Sequence, residues 1–188
     1  NVLSLADDLG QQWETLNNAI KPYPACHFNH AFADCALLLK IEHQIESTSI
    51  ERITALVHED QVDIVCEPLQ EKRKPKNPYE AQFSIPYIVA SIIVNEQFTL
   101  QELFPDALKD PKVLSLSEKV DYAITDQSLY PKHFSGSLIV ELASGERFEK
   151  VVKYNRGSRK NPLTLNEITG KYSANCAMSI NGRSAEKI

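Results

Sequence analysis

The sequence predicts an α+β domain in which helices pack against an antiparallel sheet. Apolar residues recur at helical spacing through residues 29–44, and a nearly continuous apolar run occupies residues 85–94. Residues 137–154 alternate between apolar and polar around Ser144-Gly145, which is typical of a β-hairpin. Because helices and antiparallel strands follow one another without an internal repeat, we expect one small mixed domain over residues 1–188.

The composition limits the classes of function. The chain has 188 residues, of which 43% are hydrophobic and 24% charged, and this suits a single domain with a real core. A net charge of −5 and the lack of a basic stripe argue against nucleic acid as a partner. The longest apolar run is too short to span a bilayer. We therefore expect a soluble, cytoplasmic protein.

The cysteines and the first residues of the chain lead to two further predictions. The four cysteines are widely spread without a C-x-x-C pair, so they are predicted to be reduced thiols in a reducing compartment: Cys26, Cys35, Cys66 and Cys176. The chain begins Asn-Val-Leu-Ser, and its one methionine is Met178. We therefore expect either a removed tag or a piece of a longer polypeptide.

The N-terminal third predicts a short strand from Trp13 to Ile20, then a stiff loop, then a helix. Pro22-Tyr23-Pro24 restricts the backbone directly after Lys21. The helix is predicted from about Asn29 to Gln44. One stripe comprises Phe28, Phe32, Cys35 and Leu39, and the opposite face comprises His30, Asp34, Leu37 and Ile41. A second face of this mixed kind is usually covered as well.

The middle of the chain predicts a strand pair, 51–57 and 62–66, and then a helix that ends near Val94. Asn77 is placed as its N-cap and Pro78 as its first residue. Pro86 lies inside this helix and leaves the carbonyl of Gln82 without its helical partner, so a kink is expected.

The C-terminal half contains further start signals for helices. Thr99 with Glu102, and Thr164 with Glu167, have the form of a capping box. Asp110 followed by Pro111 opens another short helix.

Two histidines at helical spacing raise the question of a metal site. His27 and His30 are three residues apart, and Asp34 follows one turn later. A zinc site needs three or four ligands, and no other cluster of ligands completes this set. We therefore interpret His30 and Asp34 as a hydrogen-bonded pair and expect no metal or other cofactor.

Two other motifs leave alternatives open. Cys26 precedes a helix start, where a thiol pKa is lowered, so a cysteine nucleophile with His30 as its base is one interpretation. No family signature surrounds Cys26, and a packing role is commoner. Arg156, Arg159 and Lys160 precede a second helix start, where carboxylate or phosphate recognition is physically natural. A solvated basic loop is the alternative.

Lys21 is the most informative single position. A lysine held beside Pro-Tyr-Pro is a pre-organised cation, suited to a substrate carboxylate or to an enolate-like charge. From the residues alone, a surface lysine flanked by turn residues is the favoured interpretation.

Five blocks of sequence, in order, resemble one known family. They are LGQQWETLNNAIKPYPACHFNHAFADCALLL, AQFSIPYIVASIIVNEQFTLQEL, LKDPKVLSLSEKVDY, GSLIVELASGERFEK and RGSRKNPLTLNEITGKYSAN. Together they resemble the C-terminal domain of the MmgE/PrpD family, the 2-methylcitrate dehydratase-like proteins.

The resemblance implies a two-domain protein, with a helical N-terminal domain before an α+β domain like this one. It implies metal-free chemistry on small di- and tricarboxylates: dehydration of 2-methylcitrate, decarboxylation of cis-aconitate or epimerisation of iminodisuccinate. The active site would lie between the domains, with most acid and base groups on the helical one. The implied partners are a polycarboxylate substrate, the helical domain and a second copy in a homodimer. The chain alone would be inactive; a non-catalytic binding or assembly module is the alternative.

The resemblance also implies roles for single residues. Lys21 matches the lysine of the family's K-x-[YF]-P element, which lies at the site and faces substrate carboxylate. Some decarboxylase-like members have histidine at the position of Cys26, and this departure argues against a decarboxylase. His30 and Asp34 match a family His and Asp. Further candidates for substrate binding are Gln82, Ser84 and Tyr87 on the helix near the domain interface, and Arg159 in the basic loop.

Overall fold

The computed structural model describes residues 9–11 and 13–178. Its helices and strands, in chain order, are α1 (His30–His43), β1 (Ile50–Val57), α2 (Glu59–Val65), α3 (Leu69–Arg73), α4 (Pro78–Gln82), α5 (Ile85–Asn95), α6 (Pro111–Ser117), β2 (Val120–Ile124), β3 (Gly136–Leu142), β4 (Arg147–Val152) and α7 (Leu165–Ala177). Short 3-10 turns join several of these elements. The predicted α+β class is confirmed.

The four strands form one mixed sheet in the order β2-β1-β3-β4. The β3–β4 hairpin is antiparallel as predicted, and β3 also pairs antiparallel with β1. The pair β1–β2 is parallel, with Ile53 opposite Val120. A parallel pair needs a long crossover, and residues 58–119, with α2 to α6, provide it.

The core lies between the sheet and the helices α1 and α5. Phe32, Cys35 and Leu39, the predicted stripe of α1, are at most 1% exposed. Helix α5 is buried almost all round, as its apolar composition predicted. Among the residues that the structure describes, no helix is long and apolar enough to cross a bilayer.

Two predicted strands are wrong. Residues 62–66 lie largely in α2, where the His58 side chain and Gln61 form a capping box at the helix start. A short apolar run does not distinguish a strand from a buried helix. Here the capping residues at the start of α2 favour the helix. Residues 13–20 contain a 3-10 turn, Glu14–Asn17, because the segment runs along a loop and not along a sheet edge.

The predicted kink at Pro86 is a complete break between two helices. Helix α4 ends at Gln82, and Ser84 caps α5, with Pro86 in its first turn. The Gln82 carbonyl is indeed left without a helical partner. It accepts hydrogen bonds from the Cys26 backbone N–H at 2.8 Å and from Asn29 Nδ2 at 2.9 Å. The break thus ties α4 to the loop that carries Lys21.

The other start signals are largely confirmed. Asn77 caps α4, Asp110 caps α6, and Thr164 forms a reciprocal capping box with Glu167 on α7. Glu102 accepts hydrogen bonds from the backbone and hydroxyl of Thr99, but only a 3-10 turn follows.

Candidate functional site

The segment from Ile20 to Cys26, hereafter the Lys21 loop, is held against the loop that follows β4. The Ile20 N–H donates to the Gly157 carbonyl at 2.9 Å. Gly157 has φ +83°, and a Cβ there would lie 1.8 Å from the carbonyl oxygen of Ile20. Only glycine allows the two backbones to approach this closely.

A buried network of side chains fixes the same loop from inside. Asp34, 3% exposed, accepts from the Tyr23 hydroxyl at 2.9 Å, the Arg156 N–H at 2.8 Å and Arg156 Nε at 3.0 Å. Arg156 also donates to the Tyr23 hydroxyl at 2.9 Å and to Glu167 at 2.8 Å. The network joins the Lys21 loop to α1, to the β4–α7 loop and to α7.

The electrostatics of this network combine burial with pairing. Burial raises the pKa of the Asp34 carboxyl, while the hydrogen bonds from Arg156 and Tyr23 act to lower it. Burial and the neighbouring Asp34 charge raise the pKa of the Tyr23 hydroxyl, so Tyr23 stays neutral and acts as a donor.

Lys21 itself presents its charge to solvent. Its ammonium donates to the Ala25 carbonyl at 3.0 Å, and His30 Nε2 lies 3.3 Å from the same oxygen. Lys171 on α7 donates to the Lys21 carbonyl. Within the described part of the chain, neither lysine has a carboxylate within 4.0 Å, so two cations without counter-ions lie together beside the loop.

His30 is a neutral residue of the core. It is fully buried, and its pKa is lowered to about 3, chiefly by burial and then by the nearby His27. Its Nδ1 has no hydrogen-bond partner among the described residues. His27 stacks on Phe134 with ring centroids 4.4 Å apart, and burial followed by the Lys21 charge lowers its pKa.

The predicted His30–Asp34 hydrogen bond is not formed. The two residues do share one face of α1, but Tyr23 and Arg156 occupy the carboxylate of Asp34, while His30 turns toward Ala25. As expected, that face is buried at His30 and Asp34, and the residues that bury it belong to this chain. Across residues 9–11 and 13–178, no three His, Cys, Asp or Glu side chains are grouped as metal ligands would be.

His30→Gln should flatten the dependence of stability on pH. The folded pKa of about 3 lies below the ordinary histidine pKa of 6.5, so the unfolded chain binds the extra proton between these values. The stability that neutral His30 contributes is present above about pH 6.5 and is lost as the pH falls toward 3. From about pH 7.5 to 5.5 the unmodified chain should lose on the order of 1 kcal/mol more than the variant.

Urea unfolding at both pH values measures this difference, and nearby groups such as His27 are the same in the two proteins. Equal losses for the variant and the unmodified chain would show that His30 titrates normally in the folded state.

The remaining predicted site residues fall into three places. Cys26 is a free, half-buried cysteine whose backbone N–H donates a hydrogen bond to the carbonyl of Gln82. Ser84 and Tyr87 are fully buried: the Ser84 hydroxyl caps α5, and the Tyr87 hydroxyl donates to the Glu102 carbonyl at 2.8 Å. Arg159 lies in the loop that follows β4 and donates to Asn17 Oδ1 at 2.6 Å.

The structure also adds contacts that the sequence did not indicate. Tyr23 and Arg156 position the Lys21 loop, and Lys171 reaches it from α7, 150 positions along the chain. Lys171 lies one turn after the capping residue Glu167, and nothing in that local pattern indicates a contact with Lys21.

The sequence model of the MmgE/PrpD C-terminal domain matches residues 23–188. No curated protein matches the chain.

Proposed function

The chain belongs to the MmgE/PrpD family as its C-terminal domain, and on that premise we propose that it serves a cofactor-free lyase or isomerase acting on small di- or tricarboxylates. The observation that carries the proposal is the pair of cations beside the Lys21 loop, Lys21 and Lys171, which lack carboxylate partners in the described part of the chain. A site for polyanionic substrates requires such unpaired positive charge.

The proposed chemistry is removal of a proton α to a carboxylate, which generates an enolate-like charge. A cation held in place before the reaction stabilises that charge without reorganisation in the transition state. An ammonium has three N–H donors, and one of those of Lys21 is used on Ala25, which leaves two for a substrate. Tyr23, Asp34 and Arg156 keep the loop in position.

The general acid and base are assigned to the helical N-terminal domain that the family resemblance implies. The 188-residue chain alone should then be inactive. The same resemblance adds a second copy as a partner, which light scattering on the purified full-length gene product would test.

The full-length gene product should be incubated in heavy water with citrate-like, aconitate-like and aspartate-derived acids, each followed by proton NMR. Deuterium exchange or product formation with one acid would support the lyase or isomerase. Silence across the panel from a folded protein would contradict it.

With the reactive acid in hand, Lys21→Ala should lower kcat/KM by roughly 100-fold, the loss typical for removal of one group that stabilises transition-state charge. The free energy of unfolding should change by less than about 0.5 kcal/mol, since Lys21 is exposed. Lys109→Ala, an exposed lysine elsewhere, is the matched control. Equal activity of the two variants would remove Lys21 from the site.

A binding or assembly module of the same fold is the second candidate. Ile41 on α1 is 58% exposed and Leu38 on the same helix is 37% exposed, which suits contact with another protein surface. This candidate predicts no turnover in the heavy-water panel.

A further inference from the structure

A pocket outside the Lys21 loop is built almost entirely from basic and neutral residues. It has a volume of about 270 Å³ and lies between the loop that precedes β3 and the loop that follows β4. Its cationic side chains are those of Lys132, Arg159 and Lys160, its imidazoles are those of His27 and His133, and no Asp or Glu is among its lining residues. We call it the basic pocket. Lys21 does not line it.

Within the described part of the chain, the cations of the basic pocket are not neutralised by a carboxylate. The Lys160 ammonium lies 3.3 Å from His133 Nε2 and 4.6 Å from the centre of the Tyr154 ring. Among the side chains that the structure describes, no carboxylate lies within 4.0 Å of Lys132, Arg159 or Lys160. A chain with a net charge of −5 thus concentrates unpaired positive charge at one concave place.

The wall of the pocket is rigid and uncharged. His27 stacks on Phe134, and Asn155, 3% exposed, donates to His27 Nε2 at 2.9 Å. A wall of packed aromatic rings keeps water away from one side and strengthens electrostatic attraction at the other. The cations therefore act on a bound anion more strongly than they would on an open surface.

We infer that the basic pocket binds a small oxyanion that carries more than one negative charge on carboxylate or phosphate groups. Several cations lie around this pocket. The guanidinium of Arg159 has further N–H donors besides the one that donates to Asn17 Oδ1. The volume is slightly below the roughly 300 Å³ at which pockets for drug-sized ligands begin, so the ligand is small. The inference goes beyond the proposed function, since it requires neither turnover nor Lys21.

The experiment is a titration of the 188-residue chain, followed by amide proton–nitrogen NMR spectra at constant ionic strength. Inorganic phosphate, citrate and acetate are the three probes. Citrate, phosphate or both should shift the signals of residues 132–134 and 154–160 and bind at least about tenfold tighter than acetate. The ratio of citrate to phosphate affinity identifies which group the site prefers.

Arg159→Gln combined with Lys160→Gln should weaken that binding by about tenfold or more. The control is Lys109→Gln with Lys112→Gln, which removes the same charge from two exposed lysines outside the pocket and should leave binding within about twofold. If the double variant does not fold, Lys132→Gln on the exposed loop replaces it.

Three outcomes would overturn the inference: no shifts at the pocket, equal affinity for acetate and the multivalent anions, or equal weakening by the control. Loss of turnover in the full-length protein bears only on the proposed function, so the two failures are distinguishable.

Discussion

Replacing Arg156 with alanine should lower the free energy of unfolding by about 3 kcal/mol, measured by urea unfolding at neutral pH. Asp34 would remain 3% exposed without its charged partner, and breaking a buried pair typically costs about 3–5 kcal/mol. We expect the lower end of this range, because the Tyr23 hydroxyl and the backbone N–H of residue 156 still donate to the carboxylate.

Arg147→Ala is the matched control. Arg147 pairs with Glu149 at 3.6 Å on the surface, and both side chains are more than two-fifths exposed. Its loss should cost less than about 1 kcal/mol. Adding Asp34→Asn to Arg156→Ala should recover part of the loss, since no unpaired charge is then buried. If the two arginine variants were equally stable, the buried network would not hold the Lys21 loop.

Gly157→Ala should destabilise the protein by about 2–4 kcal/mol, for two reasons that add. A left-handed backbone costs a residue with a Cβ roughly 1–2 kcal/mol. The new methyl group would also lie 1.8 Å from the carbonyl oxygen of Ile20, so the two backbones must separate and the hydrogen bond between them is lost. Thermal unfolding should show this as a melting temperature lower by roughly 2–4 °C per kcal/mol.

Two other glycines separate these causes. Gly145 has φ +90° in the β3–β4 turn with open space around it, so its alanine variant reports backbone strain alone. Gly170 lies within α7, also in open space, and alanine there should stabilise the protein by up to about 1 kcal/mol. A Gly157 variant no worse than the Gly145 variant would show that the contact with Ile20 contributes nothing.

The elements that were predictable from sequence are those whose signals are local. The spacing of apolar residues located α1, the alternation around Ser144-Gly145 located the hairpin, and side-chain caps located the starts of α4, α6 and α7. Pro86 even predicted that the carbonyl of Gln82 lacks a helical hydrogen-bond partner. In each case, residues a few positions apart determine the backbone geometry.

The wrong predictions have a common cause, which is pairing between segments that lie far apart in the sequence. The apolar run at residues 62–66 is compatible with either a strand or a buried helix. It lies largely in α2, and the strands that pair with β1 are β2 and β3. The parallel pairing of β1 with β2 depends on a crossover of some sixty residues, which no local pattern reports.

The same distinction between local and long-range interactions applies to the candidate site. The sequence by itself determined the α+β class, the family resemblance and the stiff loop that carries Lys21, because proline geometry and hydrophobic periodicity are properties of neighbouring residues. Only the tertiary structure decided that Asp34 pairs with Tyr23 and Arg156 and not with His30, and that Lys171 joins Lys21. A buried carboxylate takes the donors that the folded chain brings to it, and Arg156 comes from more than a hundred positions away.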